Sequence, residues 1–252
     1  MNRFFVDKQN IVEDRHQIFI DDQDDIKHIE KVLRLKKGDC IEICDGQNME
    51  YIAQIIVLTK KRIELKILEK GTAKTEPPIQ VTLFQGIPKA GKMDVIIQKC
   101  TELGIRNIVP MMTERTVVQL KDQKAEEKKV ERWQKIADEA AKQCKRGVIP
   151  QIGLPKAFEE AVGDAREFDL SVIPYEKEGA FGLKHVTETK QSLKKIAIFI
   201  GPEGGFEEQE IVRASKAGII PVTLGPRILR TETAGFVALS ILMYALGDLG
   251  GI

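Results

Sequence analysis

Residues 196–211 read IAIFIGPEGGFEEQEI. An unbroken apolar run, a Gly-Pro-Glu-Gly-Gly turn and an acidic first helical turn describe a buried strand that ends in a glycine loop and passes into a helix. The order recurs at 219–246, where IIPVTLG leads through PRILRTET (226–233) to an apolar helix from Ala234 through Leu246. Strands apolar on both faces belong to sheets covered on both sides, so the stretch points to an α/β domain with a mainly parallel sheet.

The same alternation extends upstream. IQVTLFQ (79–85), a helix near Met93–Leu103, IRNIVPMM (105–112), a helix near Ala125–Arg146, FDLSVIPY (168–175), KKIAIFI (194–200) and a helix near Glu207–Ala217 follow one another. In the long middle helix Val130, Trp133, Ile136, Ala137, Ala140, Ala141 and Cys144 keep a helical stripe, Trp133 is expected in the core, and Gly147 stands where a C-terminal cap belongs.

The first seventy residues follow another pattern. Ile26, Ile29 and Leu33 share one face of a helix expected from Asp24 to Leu35. After the KKGD turn, a period of two at Ile41 and Ile43, then Tyr51 to Val57, then Ile63 to Ile67 predicts three half-buried strands. The polar TAKTEPP (72–78) ends in Pro-Pro and separates the two patterns. The expected domains are therefore 1–72, a connector at 73–78, and 79–252.

Composition excludes several classes. With 42% hydrophobic and 31% charged residues in 252, the chain has the balance of a folded globular protein. No apolar run reaches the ~18 residues of a membrane span and the start lacks a signal-peptide core, so a soluble cytoplasmic protein is expected. Cys40, Cys44, Cys100 and Cys144 form no C-x-x-C pair, and with three scattered histidines they offer no metal-ligand spacing. They are expected to be reduced core thiols, with no metal. Net charge is +1, with the basic excess in the middle third.

Gly86 to Met93 satisfies G-x-x-x-x-G-K but has Met where a phosphate loop needs the hydroxyl that ligates magnesium, and Pro88 removes a donor from the cradle, so nucleotide hydrolysis is not expected. What remains is a loop presenting Lys89 and Lys92, either toward an RNA backbone or toward solvent.

The two C-terminal loops promise more. Ligands of open α/β sheets sit beyond the carboxyl ends of the strands, where loops with little side-chain bulk expose backbone groups, and two such loops suggest one shared site. Arg230 precedes an apolar helix, where the dipole disfavours a cation. An anionic partner would explain it, and so would pairing with Glu203 or Glu232. Thr231 and Thr233 can cap that helix.

IGPEGGF, LGPRILRTETA, QGIPKAGKMDVIIQKCTELG (85–104), EAAKQCKR (139–146) and the opening NRFFV together resemble the bacterial 16S ribosomal RNA uridine-N3 methyltransferase family of the SPOUT superfamily, over essentially the whole chain. The resemblance implies a PUA-like β-barrel that helps grip RNA and a C-terminal α/β domain tied in a deep trefoil knot. It further implies S-adenosylmethionine as methyl donor, 16S rRNA in the small ribosomal subunit as substrate, and a homodimer. By position it places Pro174, Ile200, Gly201, Gly205, Leu224, Gly225, Ile228, Leu229, Thr233 and Ala234 around the adenosyl group. Arg230 would stabilise the uridine anion left when N3 loses its proton, with Glu203 or Glu232 as the acceptor. Arg3, Lys36, Lys37, Lys89 and Lys92 are candidate RNA contacts. Two rivals stay open: a non-catalytic PUA-type RNA-binding protein, and a methyltransferase of the same superfamily acting on another RNA.

Overall fold

The computed structural model describes residues 1–118, 122–179, 181–189 and 193–251. The chain separates into two compact units, Met1–Glu76 with Ala141–Ile149, and Pro77–Ala140 with Pro150–Ile252. The segment 141–149, which a linear reading assigns to the second domain, folds with the first unit.

That first unit holds six strands, β1 (Arg3–Phe5), β2 (Ile11–Val12), β3 (Gln17–Ile20), β4 (Cys40–Cys44), β5 (Met49–Leu58) and β6 (Ile63–Thr72), in the order β1-β4-β5-β6-β3-β2. All pairings are antiparallel except β1 with β4. The three strands predicted from alternation are β4, β5 and β6. The short β1 to β3 offer too few residues for a period of two to register. Ile18, Ile20, Ile41, Ile43, Ala53, Ile55, Ile63 and Leu65 form the core.

Helix α1 (Gln23–Lys27) starts where Asp22 accepts from the backbone N–H of Asp24 and Asp25, and continues as a π turn over His28–Val32. It buries Ile26 and Ile29 as the spacing requires, yet regular α-helix stops sooner than Leu35. Gly147 does not cap the long helix, which ends at Gln143. A Cβ there would lie 2.1 Å from that of Ala73, so glycine is required by close packing.

The second unit carries a wholly parallel sheet. Its strands are β7 (Gln80–Gly86), β8 (Asn107–Met112), β9 (Gln151–Ile152), β10 (Lys156–Ala157), β11 (Leu170–Pro174), β12 (Lys195–Ile200) and β13 (Ile220–Val222). Their order is β10-β8-β7-β12-β11-β13, with β9 also on β8. The helices are α2 (Lys92–Glu102), α3 (Gln123–Gln143), α4 (Phe158–Asp164), α5 (Leu183–Thr189), α6 (Glu208–Lys216) and α7 (Thr231–Leu246). Two apolar clusters fill the unit. One contains Leu83, Ile96, Trp133, Ile198 and Leu242, the other a Phe84–Phe199 stack with centroids 4.5 Å apart, beside Phe158 and Phe206.

Helix α7 packs on α2, α5, β7 and β12, which explains a helix apolar on nearly every side. Burial pushes the Cys44 thiol up to about 12 and raises that of Cys100, whereas Cys40 and Cys144 are only half-buried; none of the four is in a disulfide. Among the described residues no helix is long and apolar enough to cross a membrane, and no His/Cys/Asp/Glu cluster could hold a metal ion.

Candidate active site

The sheet order creates one natural crevice. From β7 the chain moves outward to β8 and β10, then crosses to β11, β12 and β13 on the other flank, so β7 and β12 are neighbours whose connections depart in opposite directions. A parallel sheet aims its strand-end loops at that point.

Glycine lets the loops meet. A Cβ on Gly86 would sit 2.5 Å from the Pro202 nitrogen, and one on Gly201 would lie 2.9 Å from the Gly205 carbonyl carbon. Gly205 has φ +68° and Gly225 has φ +117°, both in the region that suits glycine. The loop after β12 is clamped from outside: Arg115 donates through Nη1 to the Gly204 carbonyl at 2.6 Å and through Nε to Glu207 at 2.8 Å. Buried Glu210 accepts from the backbone N–H of Glu114 and Glu207.

The loop after β13 joins the same place. Thr231, the first residue of α7, donates from Oγ1 to the Gly201 carbonyl at 2.6 Å and accepts from Gln85 Nε2 at 2.9 Å. The expectation that Thr231 caps the helix is therefore corrected. Arg230 occupies the N-cap position, and no side chain supplies the cap.

Three charged groups converge beside this junction. Lys92 Nζ lies 3.1 Å from Glu203 and 3.4 Å from Glu232. The second contact is the longer of the two and falls on the buried Oε2 of Glu232. Glu203 also accepts from the backbone N–H of Lys89 at 3.0 Å. Partial burial would raise the Glu203 pKa, but its own backbone N–H, Lys92 and Lys89 outweigh that and hold it below the usual carboxylate range. The hydrogen bond to Glu203 raises the Lys92 ammonium above its ordinary value.

Both carboxylates that might have paired with Arg230 are thus taken by Lys92. Arg230 is exposed, and among the described residues its guanidinium makes no hydrogen bond or ion pair. Pro174 ends β11 opposite Val222, and Ile200 ends β12 at 3% exposure. Leu224, Leu229, Thr233 and Ala234 are half-buried, while Ile228 is 88% exposed. An open cleft of about 610 Å³ lies on the α6 side of the loop, lined by Arg115, Tyr175, Lys177, Phe206 and Glu208 among others, and none of the candidate adenosyl residues lines it.

Of the candidate RNA contacts, Lys36, Lys37 and Lys89 are exposed, and Lys92 is held between carboxylates. Arg3 is different: its side chain is 8% exposed and bound to Glu42, Glu50 and the Lys145 carbonyl, so its guanidinium serves the fold instead of presenting a free cation. Sequence reading passed over Gln85 and Arg115. A glutamine directly after Leu83 and Phe84, at the end of the strand run IQVTLFQ and just before Gly86, is a usable signal for Gln85; nothing local marks Arg115.

Comparison with known proteins shows the family. A family model described as an RNA methyltransferase domain matches residues 75–243, and one described as an RNA methyltransferase PUA domain matches residues 20–68. The chain is similar to the Ribosomal RNA small subunit methyltransferase E of Bacillus subtilis, 36% identical over 97% of this chain and 96% of that one. Its structure is similar to a Ribosomal RNA small subunit methyltransferase E of Neisseria gonorrhoeae bound to S-adenosylmethionine (TM-score 0.85, 32% identity, 99% of each chain). A Legionella pneumophila methyltransferase with bound S-adenosylmethionine is comparable (TM-score 0.84, 32% identity, 98% of each chain).

Proposed function

This chain belongs to the RNA methyltransferase family, and from that membership we propose that it methylates N3 of a uridine in the 16S RNA of the small ribosomal subunit. It is an S-adenosylmethionine-dependent ribosomal RNA methyltransferase with an N-terminal PUA-like domain. The observation that carries the site assignment is the Thr231–Gly201 hydrogen bond, which brings the two glycine loops to one point at the carboxyl ends of β12 and β13.

The loops suit the donor. Gly201 and Gly205 approach within a distance that any Cβ would fill, leaving backbone groups to face a ligand, and Leu224, Ile228 and Leu229 offer apolar surface to a flat adenine. Pro174, Ile200, Gly225, Thr233 and Ala234 complete the proposed adenosyl pocket. When bound, S-adenosylmethionine supplies an electrophilic methyl group on a sulfonium.

The chain's own residues prepare the nucleophile. Uridine N3 becomes a good nucleophile only when its weakly acidic proton leaves, and the negative charge then spreads to the flanking carbonyl oxygens. Arg230, exposed and unpaired at the start of α7, is placed to donate to those oxygens, and preorganised donors of this kind carry a large share of catalysis. Of the two carboxylates, Glu203 accepts from three donors, and the buried Oε2 of Glu232 lies 3.4 Å from the Lys92 ammonium. Either Glu203 or Glu232 is the proton acceptor in this reading, directly or through water. Lys36, Lys37 and Lys89 provide phosphate contacts, and the target base must leave its stack to reach the loops.

A homodimer and a trefoil-knotted second unit complete the proposal. Exposed Ile228 and Tyr244, at 88% and 75%, support the dimer as apolar groups that a second copy would cover. The test is incubation of purified protein and labelled cofactor with whole small subunits, followed by mass spectrometry of the RNA. A single N3-methyluridine in 16S RNA is expected; label in another RNA, or none, overturns the substrate assignment.

A further inference from the structure

Gln85 is fully buried in β7, at the centre of the parallel sheet, yet it is polar. Proton counting fixes how it bonds. The Gly201 carbonyl can only accept, so the Thr231 hydroxyl must donate its one proton there at 2.6 Å, and can only accept from Gln85 at 2.9 Å. The Gly86 carbonyl also needs a donor and receives the same Nε2 at 2.9 Å. Both neighbours therefore require the amide NH2, and the amide oxygen is left buried with no hydrogen-bond partner among the described residues.

An unpartnered buried oxygen destabilises the fold, and apolar side chains of similar shape at 85 and 231 would fill the space without it. Gly235, whose added Cβ would lie 3.7 Å from that oxygen, leaves room for such a chain. The polar pair does something packing cannot: it sets direction. Thr231 sits between Arg230 and Glu232, and its side chain ties the start of α7 to the carbonyl of the first residue of the neighbouring loop.

We propose that Gln85 and Thr231 are positioning residues for methyl transfer, a directional lock that holds Arg230 and Glu232 in register with the Gly201 loop. The inference rests on the roles assigned above to Arg230 and Glu232. Misplacement of reacting groups by tenths of an ångström is enough to slow an aligned displacement, so the lock acts on the chemical step and not on cofactor affinity.

The test uses full-length Gln85→Met, Thr231→Val and Thr231→Ser, with single-turnover methyl transfer to small subunits, calorimetric S-adenosylmethionine affinity and thermal melting. In Gln85→Met and Thr231→Val the rate falls about tenfold or more while Kd changes less than about threefold, and Tm falls modestly because each variant leaves a buried partner without its hydrogen bond, with the protein still folded at the assay temperature. Thr231→Ser, which keeps the hydroxyl, restores the rate to within about threefold of wild type. A wild-type rate in both apolar variants, or a rate loss matched by loss of folded protein, overturns the lock. Should Thr231→Val fail to fold, Gln85→Met carries the same comparison. A wild-type protein that transferred no methyl group to any RNA would sink the enzymatic reading itself, a different failure from full activity in the apolar variants.

Discussion

Arg146 and Arg230 show two uses of the same side chain. Arg146, in the first unit, is 4% exposed and bonds Glu76 at 2.7 Å, while the other oxygen of Glu76 accepts from the backbone N–H of Gly147 and Val148. Arg230, in the second, is exposed, pairs with no carboxylate among the described residues, and stands at the N-terminus of an apolar helix where the dipole repels it. A compensated cation organises its own backbone. An uncompensated one leaves its donors open, as the role proposed for Arg230 requires.

The contrast can be broken most forcefully at Glu76. Glu76→Ala removes one partner of a buried ion pair, together with the acceptor of the Gly147 and Val148 N–H groups, and should cost about 3–5 kcal/mol of stability, read as a lower denaturant midpoint in the full chain; a change of under about 1 kcal/mol would make the pair incidental. Arg230→Ala should do the converse. It should slow methyl transfer by about 100- to 1000-fold with stability and cofactor affinity unchanged, and a normal rate with cofactor bound would remove the arginine from the mechanism.

Two glycines of one motif-like loop sharpen the comparison further. Gly86→Ala drives a Cβ against the Pro202 backbone and should cost roughly 1–3 kcal/mol, whereas Gly91, with nothing within 4 Å of an added Cβ, should accept alanine within about 0.5 kcal/mol. Equal effects on Tm would mean that the loops are not packed as described. The smallest expected effect concerns pH. The Glu203 carboxyl is held below its ordinary range, so its contribution to stability is complete above the unfolded value of about 4.3 and is lost as pH falls through the lower folded value. Lys92→Met removes one stabilising donor and should move that loss to higher pH, and an NMR titration of the carboxyl that did not shift would show that the backbone donors suffice.

How much of this was legible in the chain differs by region. The α/β alternation, the long Trp133 helix and the glycine loops are local patterns in which every residue's neighbours in sequence are also its neighbours in space. Family resemblance carried the donor and the ribosomal RNA substrate, which no periodicity encodes. Arg230 stands out in the sequence as a cation ahead of an apolar helix, but the alternative that it pairs with Glu203 or Glu232 gives way to Lys92, a residue more than a hundred positions upstream. Gln85, Arg115 and the inward turn of Thr231 depend on the same kind of distant contact. So does the membership of Ala141–Ile149 in the first unit, where the docking of Arg146 on Glu76 takes a segment out of its apparent linear domain.

By itself the sequence determined which segments become strands, helices and glycine turns, because hydrophobic period, proline and glycine act over a few residues. Only the tertiary structure decided which charges are compensated, which glycines are packed against backbone and which polar side chains bridge two loops. Those properties are set by groups that meet in space after the sheet has ordered its strands, and their spacing along the chain carries no record of the meeting.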